Sequence, residues 1–177
     1  MEENVTLDEM LSFREKKVSM QEALHKKHEE ATIVALGMNI PGPRKTSAGI
    51  FLAFSSGGEE LNRLFLEHGL TVTEETVVKE KTGYLKLYAV KSEDPIFVKK
   101  ITIHMEETHP LGRLFDIDVY DKAGNGIGRA ELGYPVRRCL ICEKDAKLCG
   151  RSRSHTAEEL YGRVESMINS WLTERGR

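Results

Sequence analysis

Residues Ala31-Thr-Ile-Val-Ala-Leu-Gly-Met38 form an apolar, partly β-branched run interrupted by a single hydroxyl. It has the length of a strand, and Pro41-Gly42-Pro43 close it with residues that continue neither a helix nor a sheet. Such a run reads as a buried strand followed by a turn, so the rest of the chain must supply its sheet partners and its cover. With 177 residues, 40% of them hydrophobic and 31% charged, the chain can bury one sizeable core. We therefore expect a single domain over 1–177, with residues 1–30 as a helical extension packed on it.

Several classes fall away at once. Neither Ala31–Met38 nor Gly49–Phe54 approaches the roughly 20 apolar residues of a membrane span. The formal charge of -2 gives no overall basic excess for nucleic acid or an anionic membrane. Glu2, Glu3, Asp8 and Glu9 make the start acidic, opposite in sign to a signal or transit peptide, which predicts a cytoplasmic protein. Three cysteines confined to Cys139–Cys149 neither pair off completely nor staple distant segments, so a disulfide framework is a poor reading.

Thr6-x-x-Glu9 and Ser19-x-x-Glu22 carry the capping-box signature and predict two short N-terminal helices. Apolar residues from Ile50 to Phe65 recur every three or four places, predicting a bent helix, or two in series, weakened at Ser55-Ser56-Gly57-Gly58 and stopped at Gly69. Thr71–Lys79 and Tyr84–Val90 flank Lys81-Thr82-Gly83 as a hairpin. Asp94-Pro95 open a short helix, Ile101–Met105 read as a strand, and Phe115–Tyr120 as another, joined by Lys122–Gly128 to a short partner. Thr156-x-x-Glu159 begins a long amphipathic C-terminal helix whose stripe from Ala157 to Leu172 is core packing. The fold class is α+β, a mixed sheet packed with helices.

Chemistry concentrates in two places. In the strand Phe115-Asp-Ile-Asp-Val119, Asp116 and Asp118 share one face while Phe115, Ile117 and Val119 fill the other. Paired carboxylates repel unless a cation lies between them; Mg²⁺ shared with substrate phosphates is the usual one, as in nucleotidyl transfer. The plain alternative is a solvated sheet face. Gly112 and Arg113 could bring an amide and a guanidinium to phosphate, and Glu106, Asp121 and Glu131 are candidates for a third carboxylate. The second place is Cys139-x2-Cys142-x6-Cys149-x5-His155, which suits a structural zinc ion, or else a small thiol core; a reactive cysteine is the least supported of the three. Around it Arg137, Arg138, Lys144, Lys147, Arg151 and Arg153 face only Glu143 and Asp145, a basic segment fit for phosphates, for an acidic protein, or simply for water.

Taken together, His109-Pro-Leu-Gly-Arg-Leu-Phe-Asp-Ile-Asp-Val119, Arg137-Arg-Cys-Leu-Ile-Cys-Glu143 with Cys149-x-Arg151 and His155, and Pro41-Gly-Pro43 with Lys45 resemble the apo-citrate lyase phosphoribosyl-dephospho-CoA transferase family, the holo-acyl-carrier-protein synthases of citrate lyase. Phe115 stands where members of that family often carry Trp. The resemblance implies transfer of a phosphoribosyl-dephospho-CoA group from triphosphoribosyl-dephospho-CoA to a serine of the citrate lyase acyl-carrier subunit, with release of diphosphate. It also implies Asp116 and Asp118 as Mg²⁺ ligands, Arg113 and Lys45 as phosphate clamps, Gly112 and Arg151 as further substrate contacts, and His109 or a carboxylate of the pair as general base. Competing readings are a non-catalytic zinc-stabilised binding module and a nucleotidyltransferase acting on another acceptor.

Overall fold

A computed structural model describes residues 4–176; Glu2 and Glu3 lie outside them. The elements are α1 (Leu7–Lys27), β1 (Ala31–Met38), α2 (Ala48–Glu67), β2 (Thr71–Glu80), β3 (Gly83–Lys91), α3 (Pro95–Thr108), β4 (Phe115–Tyr120), α4 (Ala146–Arg151) and α5 (Ala157–Arg175), with single 3-10 turns at Gly112–Leu114 and Ala130–Leu132. The strands form one sheet in the order β2-β3-β1-β4.

β1 lies inside that sheet and is covered on both faces, as its composition requires. Ile33 and Ala35 pack with Leu85, Leu87 and Leu24 beneath α1. Val34 and Leu36 enter the larger core with Phe54, Phe65, Met105, Phe115 and Trp171, supplied by α2, α3, β4 and α5. The class is α+β, as expected, but the sheet is antiparallel throughout rather than mixed. Helices do link strands that point the same way, β1 to β2 through α2 and β3 to β4 through α3. Each such pair, however, is split by an intervening strand, so no parallel ladder forms.

Three local expectations are corrected. The N-terminal segment is one helix: Thr6 and Glu9 make their capping box, whereas Ser19 and Glu22 sit inside α1. No Gly or Pro interrupts residues 7–27, so propagation from the first cap overrides a second start. Ser55–Gly58 do not break α2 either. A Cβ on Gly57 would lie 2.8 Å from Phe115 Cε1, and the Gly58 carbonyl accepts the Tyr88 hydroxyl at 3.2 Å, so these positions serve close approach to the sheet. Ile101–Met105 is helical, within α3, whose start is fixed by Asp94 as N-cap and Pro95 in the first turn. The helix buries a wide arc, with Ile101, Thr102, Ile103 and Met105 all covered, and that mimics the composition of a strand.

β4 is an edge strand, and α3 covers its edge. Glu106 accepts the Ile117 N–H at 3.2 Å, Lys99 donates to the Ile117 carbonyl at 2.9 Å, and Arg137 donates to the Phe115 carbonyl at 2.6 Å. Past β4 the expected partner strand is reduced to one bridge, Tyr120 with Gly126, and a bond from Ile127 N–H to the Val119 carbonyl at 2.8 Å. Largely irregular chain follows until the Thr156 capping box starts α5, which buries Tyr161, Val164, Ile168 and Trp171 on one stripe. No helix among the described residues is long and apolar enough to cross a membrane.

Candidate functional site

Beside the covered edge of β4 lies a cleft of about 1000 Å³. Asp116 and Asp118 line it, together with Arg113, Arg129, Arg137 and Arg153. The alternation of β4 sends Phe115, Ile117 and Val119 into the core and turns both aspartates to the opposite face, where their side chains remain 54% and 44% exposed. Their neighbours on β1 are Gly37 and Ala35, too small to crowd them. Each carboxylate has a cation at hand: Lys17 of α1 meets Asp118 at 2.6 Å, and Arg137 stands 3.7 Å from Asp116. Burial works to lower the Lys17 pKa, but the charge and hydrogen bond of Asp118 outweigh it and hold the ammonium above its ordinary value.

The third carboxylate is committed elsewhere. Glu106 is buried and pairs with Arg129 at 2.9 Å and Arg137 at 2.5 Å, while also accepting the Ile117 N–H. It anchors the guanidiniums rather than joining the aspartate pair. Asp121 folds the turn after β4, accepting from Ala123 and Asn125. Glu131 is exposed and does not line the cleft. Arg113, turned toward the cleft, donates to the Arg138 carbonyl, and burial lowers its pKa, with Arg137 and Arg129 adding to the effect.

Of the other residues marked in the sequence, Lys45 lines a separate cavity of about 270 Å³ that shares Asn39 and Asp116 with the cleft. His109 lies at the C-terminus of α3 and does not line the cleft. Its Nδ1 accepts the Leu111 N–H at 3.0 Å, its Nε2 is 3.4 Å from Ser56 Oγ, and burial depresses its pKa. Gly112 is a packing residue: a Cβ there would run into the Glu106 carbonyl. Arg151 is exposed on α4 outside the cleft, whereas Arg153, with φ of 49°, turns into it. Sequence reasoning missed Lys17, Arg129 and Lys99. For Lys99 a signal existed, since Lys99 and Glu106 stand two turns apart on one apolar helical face, but it was hidden by reading Ile101–Met105 as a strand.

The Cys139, Cys142, Cys149 and His155 side chains converge, their ligand atoms all within 4.8 Å of one another. This group can hold a metal ion such as zinc. Cys149 Sγ is 3.4 Å from Cys139 Sγ, and His155 Nε2 is buried without a hydrogen-bond partner among the described residues. Burial opposes ionisation of Cys139, but the Cys142 and Ile141 N–H groups and the neighbouring thiols draw its pKa down to about 7. Burial, with the Cys139 and Cys142 side chains adding to it, pushes Cys149 up to about 11.

A family model described as apo-citrate lyase phosphoribosyl-dephospho-CoA transferase matches residues 5–171. The chain belongs to that transferase family. Similar proteins include a probable apo-citrate lyase phosphoribosyl-dephospho-CoA transferase of Vibrio cholerae serotype O1, 33% identical over 168 residues that cover 95% of this chain and 94% of the relative. An apo-citrate lyase phosphoribosyl-dephospho-CoA transferase of Escherichia coli O6:K15:H31 is 32% identical over 165 residues, 93% of this chain and 89% of the relative. The match to the transferase family thus takes in β4, the whole cleft wall and the cysteine cluster.

Proposed function

We propose that this chain transfers the phosphoribosyl-dephospho-CoA group of triphosphoribosyl-dephospho-CoA to a serine of the citrate lyase acyl-carrier subunit and releases diphosphate. The observation that carries the reading is the Asp116–Asp118 pair at a cation-lined cleft large enough for an extended coenzyme-A-type donor. The serine oxygen forms a bond to the phosphorus next to the ribose. The anhydride bond to the next phosphate breaks, and its electron pair leaves on diphosphate. In this reading a carboxylate of the aspartate pair takes the hydroxyl proton; that the pair lines the cleft and His109 does not supports this choice. Arg113, Arg129 and Arg137 line the cleft, where their positive charge favours a bound phosphate ester.

Two same-face carboxylates with only oxygen donors, half exposed and already drawing Lys17 and Arg137 to themselves, fit Mg²⁺. Bound by Asp116 and Asp118, it would supply Lewis-acid neutralisation of phosphate charge. The cysteine cluster fits zinc through its three sulfurs and the unpartnered His155 nitrogen. Four protein ligands fill a tetrahedral ion and leave no open position, so the zinc would be structural. Free thiols in such a cluster support a reducing, cytoplasmic setting.

The test is mass spectrometry of the purified carrier subunit after incubation with the triphosphate donor. A gain equal to the phosphoribosyl-dephospho-CoA group, at one serine, is expected. An unmodified carrier alongside modification of some other acceptor would replace this reading with a nucleotidyltransferase of different specificity.

A further inference from the structure

The small cavity on the α1 side of β4 is lined by cations that are not all paired with a carboxylate among the described residues. Arg14 and Lys17 of α1 and Lys45 of the loop after β1 line its 270 Å³, with Asn39, Thr82 and Asp116. Lys17 is paired with Asp118. Arg14 and Lys45 make no ion pair with any carboxylate among the described residues. Lys45 is held instead by the Ile40 carbonyl at 2.5 Å, and both burial and the Arg14 charge weigh against its ammonium. Two cations with no carboxylate partner among the described residues, at one half-enclosed cavity, suit an anion.

Size and position narrow the anion. At 270 Å³ the cavity falls just under the range for drug-sized ligands and suits a small inorganic anion. It meets the large cleft at Asn39 and Asp116, which line both, so the proposed reacting phosphorus would sit where the two spaces join. We infer that the small cavity is the diphosphate subsite: the transferred coenzyme-derived part lies in the cleft, the donor crosses the aspartate pair, and the leaving diphosphate is received by Arg14 and Lys45. This rests on the function proposed above and divides the substrate between two cavities. Arg113 and Lys45, both expected as phosphate clamps, then serve different parts of the donor. Charge grows on the diphosphate as the anhydride bond breaks, so cations aimed there act where the transition state needs them.

Calorimetric binding of inorganic diphosphate, with Mg²⁺ present, tests the subsite without any carrier subunit. Diphosphate should bind the parent protein, compete with the donor, and lose about tenfold in affinity in Arg14→Gln and in Lys45→Met, the scale of one charge-assisted hydrogen bond. Dephospho-CoA, which keeps its internal diphosphate bridge but lacks the triphosphoribosyl arm that carries the leaving diphosphate, should bind both variants as it binds the parent. Arg14 is exposed on α1, so its replacement disturbs no core contact. The inference is overturned if millimolar diphosphate does not bind, if it binds both variants as tightly as the parent, or if dephospho-CoA weakens in parallel. Should diphosphate bind as expected while the carrier stays unmodified, the anion site stands and the transfer reading falls.

Discussion

Asp116 and Asp118 sit beside Lys17 and Arg137, so the cationic charge the pair demands is drawn from two elements distant in sequence. Replacing either aspartate with asparagine keeps the shape and removes the charge. Transfer should then fall by at least roughly a hundredfold, the scale of losing one preorganised electrostatic contact. Circular dichroism should stay near the parent's; the melting temperature should hold for Asp116→Asn and fall modestly for Asp118→Asn, which leaves the part-buried Lys17 ammonium without its partner. Transfer within a few-fold of the parent in the folded variants would end their proposed role. His109 makes a prediction of a different sort. Burial holds its imidazole below the ordinary 6.5, so the unfolded state binds the proton more readily than the folded one. The stability of its neutral form is complete above about pH 6.5 and is lost as pH falls through the depressed native value. Unfolding followed from pH 7.5 down to 5 should show this decline, and His109→Gln should flatten it; an equally steep profile in the variant would assign the effect to other groups.

α3 joins core, sheet edge and cleft. Its inner face packs against the sheet while Lys99 and Glu106 occupy the backbone groups of Ile117, and Glu106 also fixes Arg129 and Arg137. Glu106→Ala should cost about 1–3 kcal/mol in denaturant unfolding, since it leaves the Ile117 N–H without its acceptor and the part-buried Arg129 and Arg137 with only their weaker partners, Glu107 and Asp116. It should also speed hydrogen exchange at the Ile117 amide; a loss under about 1 kcal/mol would mean that the arginines find other partners. The cysteine cluster governs the chain just before α5. Zinc should co-purify at about one equivalent, and Cys142→Ser or chelation should lower the melting temperature and expose residues 137–155 to protease, because the unfolded chain has no preformed site. A zinc-free protein with an unchanged melt would make the cluster a thiol core. At this scale much of the fold was legible in the residues: the Thr6 and Thr156 caps, the Lys81–Gly83 hairpin turn and the β4 alternation all act through neighbours a few positions away. What escaped was tertiary. No local pattern joins Lys17 to an aspartate 101 positions on, and no local pattern told the doubly covered helix α3 from a strand.

Over the whole molecule, a near-neutral chain gathers exposed cations along Arg138, Lys144, Lys147, Arg151 and Arg153. If that face receives the carrier subunit, rising salt should raise the apparent KM for the carrier through screening. Arg151→Glu should do the same while leaving the donor KM unchanged, because Arg151 lies outside the cleft. A carrier KM indifferent to both would place docking elsewhere. The order of the sheet carries a consequence for synthesis. β1, the most apolar strand, is made before either of its partners: Leu36 and Ala31 pair with Lys86 and Lys91, 50 to 60 residues later, and Met38 and Ile33 with Phe115 and Tyr120, 77 to 87 residues later. At about 5–20 residues per second, the nascent strand waits on the order of 3 to 12 s for β3 and longer for β4. Over that interval an eight-residue apolar segment with two open edges is exposed to other chains. Whatever shields β1 between its own emergence from the ribosome and that of β3 therefore bears on the yield of native protein.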